Sequence, residues 1–184
     1  MGHSTDNIIM KRSDFYFFWS GPFSQWSVRP MVIDGLQYNC CEQFMMAEKA
    51  RLFGDDEILD LIMASDDPRT QKHLGRKVKG FVLETWESKC RDIVYKANLA
   101  KFTQNPELKA MLLATGSKRI VEASPLDRVW GIGLAEKDND APNPDKWRGT
   151  NWLGEAIQKV REELIATGNT KDERFEGHSI RRLD

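Results

Sequence analysis

Between Cys41 and Gly116 the chain is a succession of helix-length segments cut by single breakers, and this punctuation constrains the fold more than any other feature. Glu42 to Phe53 carries apolar residues at helical spacing and is stopped by Gly54. Asp55-Asp56-Glu57 puts acid at the positive end of a second helix, Ile58 to Ala64. Pro68 suits the first turn of a third, running to about Val78. A longer helix is expected from about Thr85 to Phe102, a short one from Pro106 to Leu113 before Gly116, and a closing one from about Asn151 to Ala166. Strand signals are few. The aromatic run from Phe15 to Trp19 has strand propensity. Met31-Val32-Ile33 and Leu36-Gln37-Tyr38 flank Asp34-Gly35, the signature of a hairpin with a type I′ turn. Arg119 to Ala123 reads as a short strand, and residues 124–151 read as loop. The expected fold is mainly α: a single compact helical domain over residues 14–166 with a small β-hairpin or short strands. It lies between a flexible N-terminus (1–13) and a flexible, charged C-terminal tail (167–184).

At 184 residues the chain is one domain's worth and long enough to bury a core without disulfides or metal. Lys plus Arg is 27 and Asp plus Glu is 28, so no basic balance marks a wide nucleic-acid surface. Nucleic acid is expected only as a modified substrate, read at a pocket. No apolar run approaches the roughly 20 residues of a membrane span. Cys40, Cys41 and Cys90 are odd in number and lack CxxC spacing, which predicts reduced thiols and a cytoplasmic or nuclear location. His3, His73 and His178 are scattered, with no HExxH and no Cys/His ladder, so neither a metal nor a cofactor is expected. Cys40 and Cys41 have no neighbouring His to activate a thiol. Oligomeric state is not legible.

Three places carry candidate chemistry. On the helix at 42–53, positions 42, 45, 46, 49, 52 and 53 share one stripe: Glu42, Met45, Met46, Lys49, Leu52 and Phe53. Two charges thus sit in an apolar stripe, two turns apart. Facing inward, Lys49 would shift toward a neutral nucleophilic amine and Glu42 toward a general acid. Facing half outward, Lys49 would simply snorkel to water. On the third helix, Arg69, Lys72, Arg76 and Lys79 lie at three- and four-residue spacing, a ridge able to hold a phosphate or diphosphate or to serve as a solvated face. The loop at 122–154 gathers Trp130, Trp147 and Trp152 among glycines and acids. Gly131 and Gly133 allow close backbone approach, Asp127 is a candidate carboxylate, and a tryptophan there would stack on a base or anchor the loop in a core. No GxGxxG, P-loop or Ser-His-Asp pattern occurs.

These residues resemble the NADAR (YbiA-like) N-glycosidase family. The resemblance is carried by Phe23-Ser24-Gln25-Trp26, Asp34-Gly35, Cys41 through Ala50, Leu74-Gly75-Arg76, Trp86, Lys101-Phe102 and Leu112 through Gly116. It continues through Glu122-Ala123-Ser124-Pro125, Asp127 through Leu134 and Gly149 through Gly154. It implies a mainly α fold and hydrolysis of an N-glycosidic bond to ribose. The substrate it implies is ADP-ribose attached to guanine or, alternatively, a phosphoribosylamino-pyrimidine intermediate of riboflavin synthesis. A non-catalytic ADP-ribose-binding module is the contrasting reading. The resemblance places catalysis on Glu42, Lys49 and Asp127. Glu42 is expected to transfer a proton, Lys49 to form a Schiff base with ring-opened ribose or to bind as a cation, and Asp127 to orient ribose hydroxyls. Trp130 and Trp26 are expected on the base, Gly131 and Gly133 beside the ligand, Arg69, Lys72 and Arg76 on phosphate, and Asn151 on the loop or the ribose. Some members carry Asp where this chain has Ile132, and the usual Ser-Asn-Phe reads Ser24-Gln25-Trp26.

Overall fold

Helix dominates, as the breakers predict. The structure is a computed structural model and describes residues 10–168. The first nine residues and the tail beyond Gly168, both expected to be flexible, lie outside the described residues. In chain order the elements are β1 (Phe15–Phe18), β2 (Met31–Ile33), β3 (Leu36–Tyr38), α1 (Cys41–Leu52), α2 (Asp56–Met63), α3 (Pro68–Gly75), α4 (Leu83–Gln104), α5 (Pro106–Ala114), β4 (Arg119–Glu122) and α6 (Trp152–Ala166). The contacts divide the chain into two units: one of the segments ending at Trp19 and running Thr115–Glu155, the other of Ser20–Ala114 and the chain from Ala156 onward.

In the larger unit, β2 and β3 form the expected hairpin, with Met31 opposite Tyr38 and Ile33 opposite Leu36. Asp34 and Gly35 both have positive φ (52° and 79°), as a two-residue type I′ turn demands. α2 and α3 start where side chains cap them. Asp55 accepts from the Ile58 amide (3.2 Å), and Asp67 accepts from the Arg69 and Thr70 amides ahead of Pro68 (3.3 and 2.9 Å). α3 stops at Gly75, short of Val78. The Arg76 and Lys77 amides turn back onto Lys72, His73 and Leu74, closing the last turn. α1 is the hub and packs against α2, α3 and α4. It is therefore buried continuously from Cys41 to Ala47 rather than along a stripe. Gln43 sits in this interior and donates to the carbonyls of Ile62, Met63 and Ser65 (3.1, 3.3 and 3.1 Å) while accepting from Asn39 N (2.7 Å). α1 and α3 approach closely at Gly75, where a Cβ would lie 2.0 Å from Met46 Sδ.

In the smaller unit, β1 and β4 pair in parallel, Phe15 beside Arg119 and Phe18 beside Glu122. Phe15, Val121, Ala123, Ile132, Leu134 and Ala141 form its core, with Trp147 packed against it. Residues 124–151 are irregular apart from a 3-10 turn at Pro144–Lys146, as the loop reading predicts. Just before β1, the Arg12 guanidinium donates to the carbonyls of Glu136 and Asp138.

Candidate active site

Glu42 and Lys49 come first because one helix carries both. They are seven positions apart, about 10.5 Å of rise, and lie on the same side of α1. Glu42 is 5% exposed, and its amide donates to Gln25 O (3.1 Å), which ties the start of α1 to the Ser24-Gln25-Trp26 segment. Lys49 is half-buried. Its Nζ stands 4.3 Å from the centroid of the Phe81 ring and 5.6 Å from that of Trp86. Burial pushes the Lys49 amine below its usual value, the Arg76 guanidinium pushes it further, and Glu42 opposes both. The end of the Lys49 side chain thus lies against two aromatic rings.

The same unit holds Trp26 and the three expected phosphate-binding cations. Lys72 Nζ lies 5.7 Å from the Trp26 ring, while Arg69 and Arg76 are exposed. Lys79 does not belong to the ridge. α3 ends before it, and it pairs instead with Glu57 at 2.9 Å. Burial disfavours the thiolate at both neighbouring cysteines, lifting Cys40 to about 12 and Cys41 to about 11. All three cysteines are free, as their spacing predicts.

Two polar residues beside this site escaped sequence reasoning. Lys101, quoted above only as part of a motif, is wholly buried. Its Nζ donates to Ser24 O (2.9 Å), and desolvation drives its pKa down. Gln25 accepts from Asn98 Nδ2 (2.9 Å), but its own Nε2 is buried with no protein partner among the described residues. Their only sequence signal was membership of quoted motifs, Gln25 in the departure Ser24-Gln25-Trp26, and the surroundings that give them meaning are made by chain segments far apart in sequence.

The remaining candidates lie in the smaller unit. Asp127 Oδ1 accepts from the amides of Val129 (2.8 Å) and Trp130 (2.7 Å), so the carboxylate shapes the turn that presents Trp130. The Trp130 ring meets Trp152 edge-on at 5.8 Å. Trp147 is an anchor: its indole donates to Ala141 O (2.8 Å), and its ring packs edge-on against Phe15. The position a Gly131 Cβ would take lies 2.9 Å from Glu122 O, and that of Gly133, at φ +67°, lies 2.9 Å from Arg148 Cβ, so both glycines are required by packing within the loop. Asn151 is 1% exposed at φ +54° and bridges to β4 with both ends of its amide, to Ile120 O and from Glu122 N (both 3.0 Å). Ile132 is core.

The model of the NADAR domain matches residues 15–165. The chain belongs to the NADAR family. It is 46% identical over 127 residues to N-glycosidase R617 of Acanthamoeba polyphaga mimivirus, covering 69% of this chain and 75% of that protein. It is 31% identical over 144 residues to N-glycosidase YbiA of Escherichia coli, covering 78% of this chain and 81% of that protein. Protein irg-1 of Caenorhabditis elegans is 41% identical over 141 residues, a match that covers 76% of this chain but only 66% of irg-1. The NMR structure of Escherichia coli YbiA superimposes with a TM-score of 0.70 at 28% identity, covering 96% of each chain. The mainly α fold is thus the family's fold, and hydrolysis of an N-glycosidic bond is the reaction class of this NADAR chain.

Proposed function

We propose that this NADAR protein removes ADP-ribose from guanine, with Glu42 as proton donor and acceptor and Lys49 as covalent nucleophile. The observation that carries the reading is the Lys49 amine: half-buried, depressed by desolvation and a neighbouring guanidinium, and on the same helix side as a buried carboxyl. In the first step the Lys49 nitrogen bonds to the anomeric carbon while the bond from that carbon to the base breaks. The base leaves with the electron pair and takes a proton from Glu42. The ribose ring then opens, its oxygen taking the proton that the Lys49 nitrogen gives up, to leave an iminium between Lys49 and the sugar. Water, deprotonated by Glu42, adds to that carbon, and the new hydroxyl's proton passes to the Lys49 nitrogen as the carbon–nitrogen bond breaks, which restores the amine and frees the sugar as its aldehyde. Only water is consumed.

ADP-ribose suits the cations beside this amine better than a monophosphate does. Arg76 acts on Lys49 directly, and Lys72 stands by the Trp26 face, so a diphosphate and an aromatic ring each have a recognition group in the unit that carries Glu42. The resemblance assigns a share of the work to Asp127 and Trp130, and substitution there measures that share. The deciding experiment compares base release from an ADP-ribosylated guanine oligonucleotide with release from a phosphoribosylamino-pyrimidine. Faster turnover of the first supports the proposal. Preference for the second supports a metabolite-clearing glycosidase, and tight binding without release of either supports a reader.

A further inference from the structure

The linker between α3 and α4 is built to deliver one ring. Asp55, already the cap of α2, also accepts from the Lys79 amide (2.8 Å), which pins the linker to the start of α2. Gly80 then turns the chain at φ +70°. The next residue, Phe81, lands with its ring 4.3 Å from Lys49 Nζ, and Phe53 supports it at 5.3 Å between centroids. Trp86, one turn into α4, closes a second side at 5.6 Å. Phe81 is 42% exposed, so it contributes little to the core. A large aromatic residue held by a capped turn, half in solvent and centred on one amine, needs a reason other than packing.

Resting on the Schiff-base reading above, we infer that Phe81, backed by Trp86, is the aromatic wall that carries the positive charge on the Lys49 nitrogen through the iminium stage. Desolvation helps the amine attack because it disfavours the charged form. The same desolvation opposes the iminium, whose nitrogen is cationic. An aromatic face offsets that cost, since its quadrupole attracts the cationic nitrogen without admitting water; it favours the ammonium as well, so its benefit falls on the iminium once pH exceeds the Lys49 pKa. The other charged groups acting on Lys49 are Arg76, at the end of α3, and Glu42, on α1 itself, and they act with opposite sign. Phe81 therefore assists catalysis at the reacting nitrogen without moving a proton.

The test varies the ring's electrons and keeps its shape. Mono-, tri- and pentafluorinated phenylalanine are placed at position 81 in the full chain, beside Phe81→Leu. The Lys49 pKa is read from the pH dependence of its reaction with trinitrobenzenesulfonate, by mass spectrometry of the Lys49 peptide. Iminium is read as the yield of borohydride-trapped adduct with free ADP-ribose, at a pH above the Lys49 pKa of every variant. Weakening one exposed cation–π contact is worth about threefold. The pKa should fall stepwise with fluorination by about half a pH unit in all, and the trapped yield should fall about threefold, with Phe81→Leu at the low end. A flat series in either readout overturns the proposal. Wild-type protein that forms a trappable adduct but releases no guanine would count against the proposed substrate alone, because the lysine titration and the trapping use no base.

Discussion

In α1, Glu42 and Lys49 share a side because the helix repeats every 3.6 residues, and each meets its surroundings through packing from neighbouring helices. In the 124–151 loop no periodicity acts. Asp127 and Trp130 are placed by the Asp127 carboxylate gripping two amides, by Asn151 bridging to β4, and by glycines that leave no room for a Cβ. The helix therefore sets its functional side chains through the backbone, whereas the loop sets its own through side chains. A substitution on the helix should alter chemistry with little change of shape. One in the loop should alter shape first.

The largest effect tests the helix. Lys49→Ala and Glu42→Gln should each lower turnover by about a thousandfold or more, with unchanged circular dichroism. Lys49→Ala should also abolish borohydride trapping, and full activity in either variant would remove that residue from the mechanism. In the loop, Asp127→Ala should lower turnover by about a hundredfold through misplacement of the Val129–Trp130 turn. Asp127→Asn keeps an acceptor oxygen and loses only the charge. Recovery of most activity in the Asn variant would mark Asp127 as positional, and equal loss would mark the charge itself as catalytic. Gly75→Ala, where α3 meets Met46, should destabilise the chain by about 1–3 kcal/mol in denaturant unfolding while sparing the kinetics of the folded fraction.

The smallest effects are in pH dependence. Lys49 lies below its ordinary 10.5, so the rate constant for adduct trapping should rise with pH through a midpoint below that value. The folded Lys101 pKa lies below 10.5, so between the folded and unfolded values the unfolded chain binds more protons and stability rises with pH. Lys101→Met should flatten that rise in alkaline melts. A rise that persists unchanged would assign it to another group.

Much of the helical layout was legible. Gly54, Pro68, Pro106 and Gly116 mark helix ends because their backbone preferences are local, and Asp34-Gly35 marks the hairpin turn for the same reason. α3 ended early because closure of its last turn, rather than the charge spacing through Lys79, set the boundary. The parallel pairing of β1 with β4 was not legible, since the strands are about a hundred residues apart and each is only four residues long. In the candidate site, Glu42 and Lys49 stood out as charges in apolar company. Phe81, Gln25 and Lys101 did not, because the partners that give them meaning are remote in sequence: Lys49, Asn98 and Ser24.

By itself the sequence determined a mainly α chain of breaker-bounded helices, the hairpin turn, and a helix carrying an acid and an amine two turns apart. These follow from φ/ψ preferences and a fixed helical repeat, both properties of neighbouring residues. Only the tertiary structure decided that α1 would be buried almost all round, that Lys101 would have no water, and that Lys49 would end against Phe81 and Trp86. Burial, and the electrostatic shifts that come with it, depends on which distant segments exclude solvent from a group, and no local pattern encodes that.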